Sequence, residues 1–136
     1  MTAAPGSPGE IARRLAETLD REDYPAAHAL LAPDCHYTLR GESLVGPEAI
    51  VASYRKNAED GRQRFDQLVF ESEVTILGPS EARIGYTDRL TRAGYTHVHR
   101  CAQLVRWNEA GLISRITHCD LPGEREALEA FLAEHP

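Results

Sequence analysis

The sequence predicts an α+β domain in which helices of the N-terminal half close over a long, strongly curved antiparallel sheet, with one further helix at the C-terminus. Three observations carry this reading. Apolar residues recur with helical spacing as far as about residue 57, the period changes to two from Phe65 and holds to Asp120, and Leu128, Phe131 and Leu132 return to helical spacing. Strands of that length twist and coil instead of lying flat, so the sheet should wrap around space for a small molecule.

The elements follow in order. Ser7-Pro8-Gly9-Glu10 matches a capping box after a Pro/Gly/Ser tail over residues 1–8, and Ile11, Leu15 and Leu19 form one apolar stripe ending near Asp20. A short helix follows Asp23, carries Ala27, Leu30 and Leu31, and stops at Pro33. Residues 34–40 alternate as a strand, with Cys35, Tyr37 and Leu39 on one face. Gly46-Pro47 opens a third helix, in which Ile50, Val51 and Tyr54 share a face, running to about Asn57. Strands are expected near 65–77, 81–92, 95–107 and 111–120, with turns at Pro79, Gly94 and Gly111, before the last helix.

At 136 residues the chain suits a single domain spanning 1–136. A formal charge of −6 leaves no basic stripe for nucleic acid and no polybasic patch for anionic lipid. The start MTAAPGSPGE lacks the basic and apolar regions of a signal peptide, so a cytoplasmic location is expected. Cys35, Cys101 and Cys119 are odd in number and dispersed, which argues for reduced thiols against a disulfide framework or zinc knuckle.

Parity then selects the residues that face inward. In 95–107 the odd positions carry His97, His99, Cys101, Gln103, Val105 and Trp107, while Arg100 and Arg106 take the even face. In 81–92 the apolar side includes Tyr86 and Asp88, and in 112–120 one side includes Ile116, His118 and Asp120. The inner face thus gathers more titratable chemistry than a sealed core tolerates, and a wet or ligand-filled cavity explains it. His118 and Asp120 share a face at i and i+2, a pairing suited to proton transfer; the plainer readings are a core histidine and a helix cap. Asp88 is either a second acid/base or the partner of an arginine. His97 and His99 form an HxH pair without further ligands at fixed spacing, so neither metal nor cofactor is expected; His28 and His36 should face solvent.

With this element order, the stretch LLAPDCHYTLRGESLVGPEAIVASYRKN and the closing hairpin WNEAGLISRITHCD, the chain resembles the nuclear transport factor 2-like superfamily over roughly residues 9–120. That group includes SnoaL-type polyketide cyclases, ketosteroid isomerases, scytalone dehydratase and limonene epoxide hydrolase. The resemblance implies a cone-shaped barrel with helices plugging its wide end, and often a homodimer through the outer face. Here that face would be Val98, Ala102, Leu104 and Ile113. The isomerase pattern does not carry over: Leu39, Leu15 and Gln103 stand where its base Asp, oxyanion Tyr and oxyanion Asp would be, and only Tyr54 matches. SnoaL-type cyclases place an acid/base Asp near Asp120, scytalone dehydratase uses inward His with Tyr-bound water, and the Asp-Arg-Asp relay of the epoxide hydrolase finds no Arg beside Asp88.

Two functions follow. The first is a cofactor-free cyclase, dehydratase or isomerase acting by acid/base chemistry on a small hydrophobic, oxygenated substrate, with His118, Asp120, Asp88 and His99 as catalytic candidates. Tyr54, Tyr86, Gln103, Tyr37 and Trp107 would bind that substrate. The second is a non-catalytic binding or dimerisation module using the same pocket. Deep polar groups without structural partners favour the enzyme.

Overall fold

The computed structural model describes residues 9–136, and its elements run α1 (Glu10–Asp20), α2 (Tyr24–Ala29), β1 (Leu31–Leu39), β2 (Glu42–Val45), α3 (Pro47–Arg64), β3 (Gln67–Gly78), β4 (Glu81–Arg92), β5 (Tyr95–Trp107), β6 (Ile113–Asp120) and α4 (Glu124–Glu134). The expected tail, with Ser7 of the capping box, lies outside the described residues. Gly9 is the N-cap of α1 at φ 80°, with no side-chain cap. A Cβ there would meet Ile76 Cδ1 at 1.9 Å, so glycine lets the helix start against β3.

Six strands form one curled, unclosed sheet in the order β2-β1-β6-β5-β4-β3. The antiparallel meander from β3 to β6 is as expected, with Tyr86 opposite Cys101, Asp88 opposite His99 and Gln103 opposite His118. Two features differ from the sequence reading. β1 lies parallel to β6, and it pairs with β2, a strand the alternation did not reveal. The β1–β2 hairpin turns at Arg40 and Gly41, at φ 46° and 83°, as Ala93 and Gly94 do between β4 and β5 at 52° and 83°. Arg-Gly is not the usual Asn-Gly or Asp-Gly signal, and four-residue β2 offers little periodicity.

α3 continues past Asn57 to Arg64 because Ala58 still packs inward and Gly61 leaves room for Leu68. β1 begins at Leu31 and runs through Pro33, which stands where the ladder to β6 is interrupted between Leu31 and His36. A register shift after Arg106 sets Ile113 opposite Trp107. Ile113, expected on the outer face, is therefore fully buried in the core with Leu15, Ile50, Ile84, Val105 and Ile116. Ala102, also assigned outward, is buried as well, while Val98 and Leu104 are half-buried.

The parity of β5 holds: Gln103 is 2% exposed, while Arg100 and Arg106 face solvent. α4 buries Phe131 only, leaving Leu128 and Leu132 half-buried. It is held to β5 by the Arg100 N–H donating to Glu124 Oε1 at 2.5 Å and by Phe131 stacked on His97 at 5.1 Å. No described helix is long and apolar enough to cross a membrane.

Candidate functional site

The helices do not fill the concave face of the sheet. An inner cavity of about 190 Å³ is walled by Asp20, Tyr37, Tyr54, Tyr86, Asp88 and Gln103. An outer one of about 380 Å³ lies between the end of α3, the start of β3 and α4, where Arg64, Phe65, His99, Arg125 and Leu128 line it. Arg40, Phe70, Asp88, Cys101 and His118 border both, so the two are compartments of one site.

A hydrogen-bonded chain crosses its floor. The Tyr54 hydroxyl donates to Gln103 Oε1 at 2.6 Å, and Gln103 Nε2 donates to the Tyr37 hydroxyl at 3.2 Å and to His118 Nδ1 at 3.3 Å. An amide nitrogen can only donate, so His118 carries its proton on Nε2 and gives it to Asp120 Oδ1 at 3.0 Å. Arg40 closes the chain at the rim with a two-pronged contact to Asp120, at 2.6 and 2.7 Å. Arg40 holds the Asp120 carboxyl below its usual range. Burial lowers His118, with the bond to Asp120 opposing, so the neutral imidazole prevails at neutral pH.

Several other polar groups at the site lack such partners among the described residues. The Tyr86 hydroxyl and His99 Nδ1 are buried without a hydrogen bond to any described residue; His97 Nε2, outside the cavity lining and beneath Phe131, is likewise without one. Asp88 makes no hydrogen bond with any described residue, and burial, reinforced by the charge of Asp20, pushes its carboxyl up to about 6. Burial raises Tyr54 and Tyr86 well above the ordinary phenol range and Tyr37 up to about 12, so these phenols are donors and not bases. Burial likewise puts the Cys101 thiol up to about 12, which removes it as a nucleophile.

His118, Asp88, His99, Tyr37, Tyr54, Tyr86 and Gln103 thus border the site. Asp120 lines neither compartment and reaches them through His118; it is not a helix cap, since Gly123 takes that position on α4 without a side-chain bond. Trp107 does not line the cavity. Four residues beyond Gln103, at about 3.3 Å per residue, it sits at the far end of β5 against the core. Among the described residues Asp88 has no arginine partner, while His28 and His36 are exposed as expected. The sequence reading missed Arg40 and Asp20. Arg40 required the unrecognised hairpin; Asp20 had only its position at the end of the α1 stripe to mark it. Among the described residues no group of three or more His, Cys, Asp or Glu could hold a metal ion.

Comparison with solved structures places the same architecture elsewhere. A candidate polyketide cyclase from Xanthomonas campestris pv. campestris superposes with a TM-score of 0.65 at 18% identity, over 90% of this chain and 92% of its own. A Mycobacterium tuberculosis protein in complex with estradiol-17β-hemisuccinate gives 0.63 at 19% identity, over 84% and 93%. TerC co-crystallised with polyporic acid gives 0.68 at 13%, over 93% and 99%. At these identities the likeness is one of fold. No curated protein sequence matches the chain significantly. Residues 12–116, which carry most of α1, every strand from β1 to β5 and half of β6, match the SnoaL-like domain, and the chain belongs to that family.

Proposed function

We propose that this protein is a cofactor-free acid/base enzyme of the cyclase, isomerase or dehydratase type, acting on a small, hydrophobic, oxygenated molecule. One observation carries the reading: Asp88 faces both compartments with no hydrogen-bond partner among the described residues, beside the likewise unpartnered hydroxyl of Tyr86. A carboxyl kept without a partner on a half-buried face costs stability, which a purely structural role would not require. Its raised pKa suits a base working near neutral pH.

Asp88 takes a proton from carbon beside a carbonyl, and the Tyr86 hydroxyl with His99 steadies the oxygen on which charge develops. Tyr37, Tyr54 and Gln103 orient the substrate oxygens at the floor. His118, held between Gln103 and Asp120, ties the floor of the site to the rim at Arg40. The ligands carried by two structural neighbours, estradiol-17β-hemisuccinate and polyporic acid, support a hydrophobic, oxygenated substrate class. We place the protein in the cytoplasm as a homodimer through the outer sheet face at Val98 and Leu104.

The competing reading is a ligand-holding module without catalysis. Its support is that both ring nitrogens of His118 are satisfied internally, and that a computationally designed 17-OHP binder shares the fold with a TM-score of 0.61 at 20% identity. The test is deuterium uptake from deuterium oxide at the α-carbon of β,γ-cyclohexenone, followed by proton NMR. The enzyme reading expects exchange above buffer that Asp88→Asn lowers by ~10² or more. Equal rates in protein and buffer favour the binding module.

A further inference from the structure

Asp20 ends α1, where the carbonyl end of a helix disfavours a carboxylate, and it lines the same inner cavity as Asp88. Its carboxyl is fixed by the Ser72 hydroxyl, which donates to Oδ2 at 2.5 Å; Oδ1 has no partner among the described residues. Ser72 stands opposite Tyr86 and Phe70 opposite Asp88 in the β3–β4 ladder. Asp88 is therefore the diagonal neighbour of Ser72, roughly 7 to 8 Å away between Cα atoms. The two carboxyls look into one cavity, with the unpartnered, buried Tyr86 hydroxyl entering it beside them.

We propose that Asp20 and Asp88 act as a pair across the inner compartment, Asp88 removing a proton from one substrate atom and Asp20 delivering one to another. The substrate class is then an enolisable carbonyl compound in which a proton relocates, as in allylic isomerisation or loss of a β-hydroxyl. This rests on the acid/base reading above and adds the acid that it lacks. Above about pH 6 the pair starts ionised, and one proton passes round it in each turnover. In an isomerisation the C–H bond at the α-carbon breaks, its electrons form the enolate, and its proton goes to Asp88. That proton passes from Asp88 to Asp20 through water, and the enolate takes it from Asp20 at the γ-carbon, so that the double bond moves into conjugation. Delivery to carbon leaves both carboxyls ionised again, with no oxidant or reductant consumed.

The experiment uses β,γ-cyclohexenone in deuterium oxide with the full chain, reading α-exchange and conversion to α,β-cyclohexenone separately by NMR. Asp20→Asn, which keeps an acceptor for Ser72, should leave α-exchange within about twofold and slow conversion by ~10². Asp88→Asn should lose both, and each variant's thermal melt reports whether it folds. Conversion unchanged in Asp20→Asn overturns the pairing while leaving Asp88 as base. Equal loss of exchange and conversion in a folded Asp20→Asn variant assigns Asp20 to the structure of the pocket and also overturns it. Absence of exchange in the unaltered protein removes the acid/base reading and this proposal together.

Discussion

Arg40, in the turn of the β1–β2 hairpin, grips both carboxylate oxygens of Asp120 from eighty residues away, Nε on Oδ2 and Nη2 on Oδ1. Asp120 in turn accepts from His118, so a surface arginine sets the charge that a pocket imidazole feels. Arg40 also acts on His118 directly, disfavouring its protonated form. Arg40→Met removes that cation and leaves Asp120 next to the ring. The titration midpoint of His118, followed by long-range proton–nitrogen NMR, should rise. A midpoint unchanged or lower would show that burial alone governs His118.

Asp88 makes stability depend on pH. Its carboxyl moves from 3.8 to about 6 in the folded protein, so the native state holds the proton more tightly than the unfolded chain. The sign follows: its contribution is full below about pH 4 and is lost as pH rises through about 6, by roughly 3 kcal/mol. Asp88→Asn abolishes that loss. Urea denaturation should find the variant more stable than the unaltered protein at pH 8, with the difference shrinking toward pH 4. A variant less stable at pH 8 would mean that the carboxylate has a partner in the fold.

Gln103 holds the floor together from a position 2% exposed. Gln103→Leu leaves the Tyr54 and Tyr37 hydroxyls and His118 Nδ1 without their shared partner. The cost should be on the order of 2 to 4 kcal/mol in urea denaturation. A loss below about 1 kcal/mol would show that the chain of bonds contributes little.

Much of this site was legible because period two is rigid. Once residues 95–107 and 81–92 are strands, parity alone puts His99, Gln103, Tyr86 and Asp88 on one face. Two kinds of residue escape such reasoning. Trp107 has the right parity but the wrong height along β5, and Ile113 changes face because the ladder shifts register after Arg106. Arg40 and Asp20 sit at element ends, where periodicity has stopped. Their roles depend on how a hairpin and a helix terminus meet the sheet, which only the assembled fold specifies.

The outer face of the sheet bears on assembly. With Ile113 and Ala102 buried within the chain, the apolar residues this face still offers a partner include half-buried Val98 and Leu104 and the exposed Val69, which lies across Arg89 from Val98. Light scattering at micromolar concentration should give twice the 15.1 kDa of one chain, and Leu104→Glu should halve it. A mass of one chain in the unaltered protein would dismiss the homodimer.

The account stands on Asp88 as the base, and the pH profile of α-exchange in β,γ-cyclohexenone tests it most directly. Exchange requires the ionised carboxylate, so the rate should climb with pH and level off, with its midpoint at about 6, where burial places Asp88. In Asp88→Asn that step should vanish. A profile without a step near 6, or one that survives unchanged in the variant, would contradict the assignment.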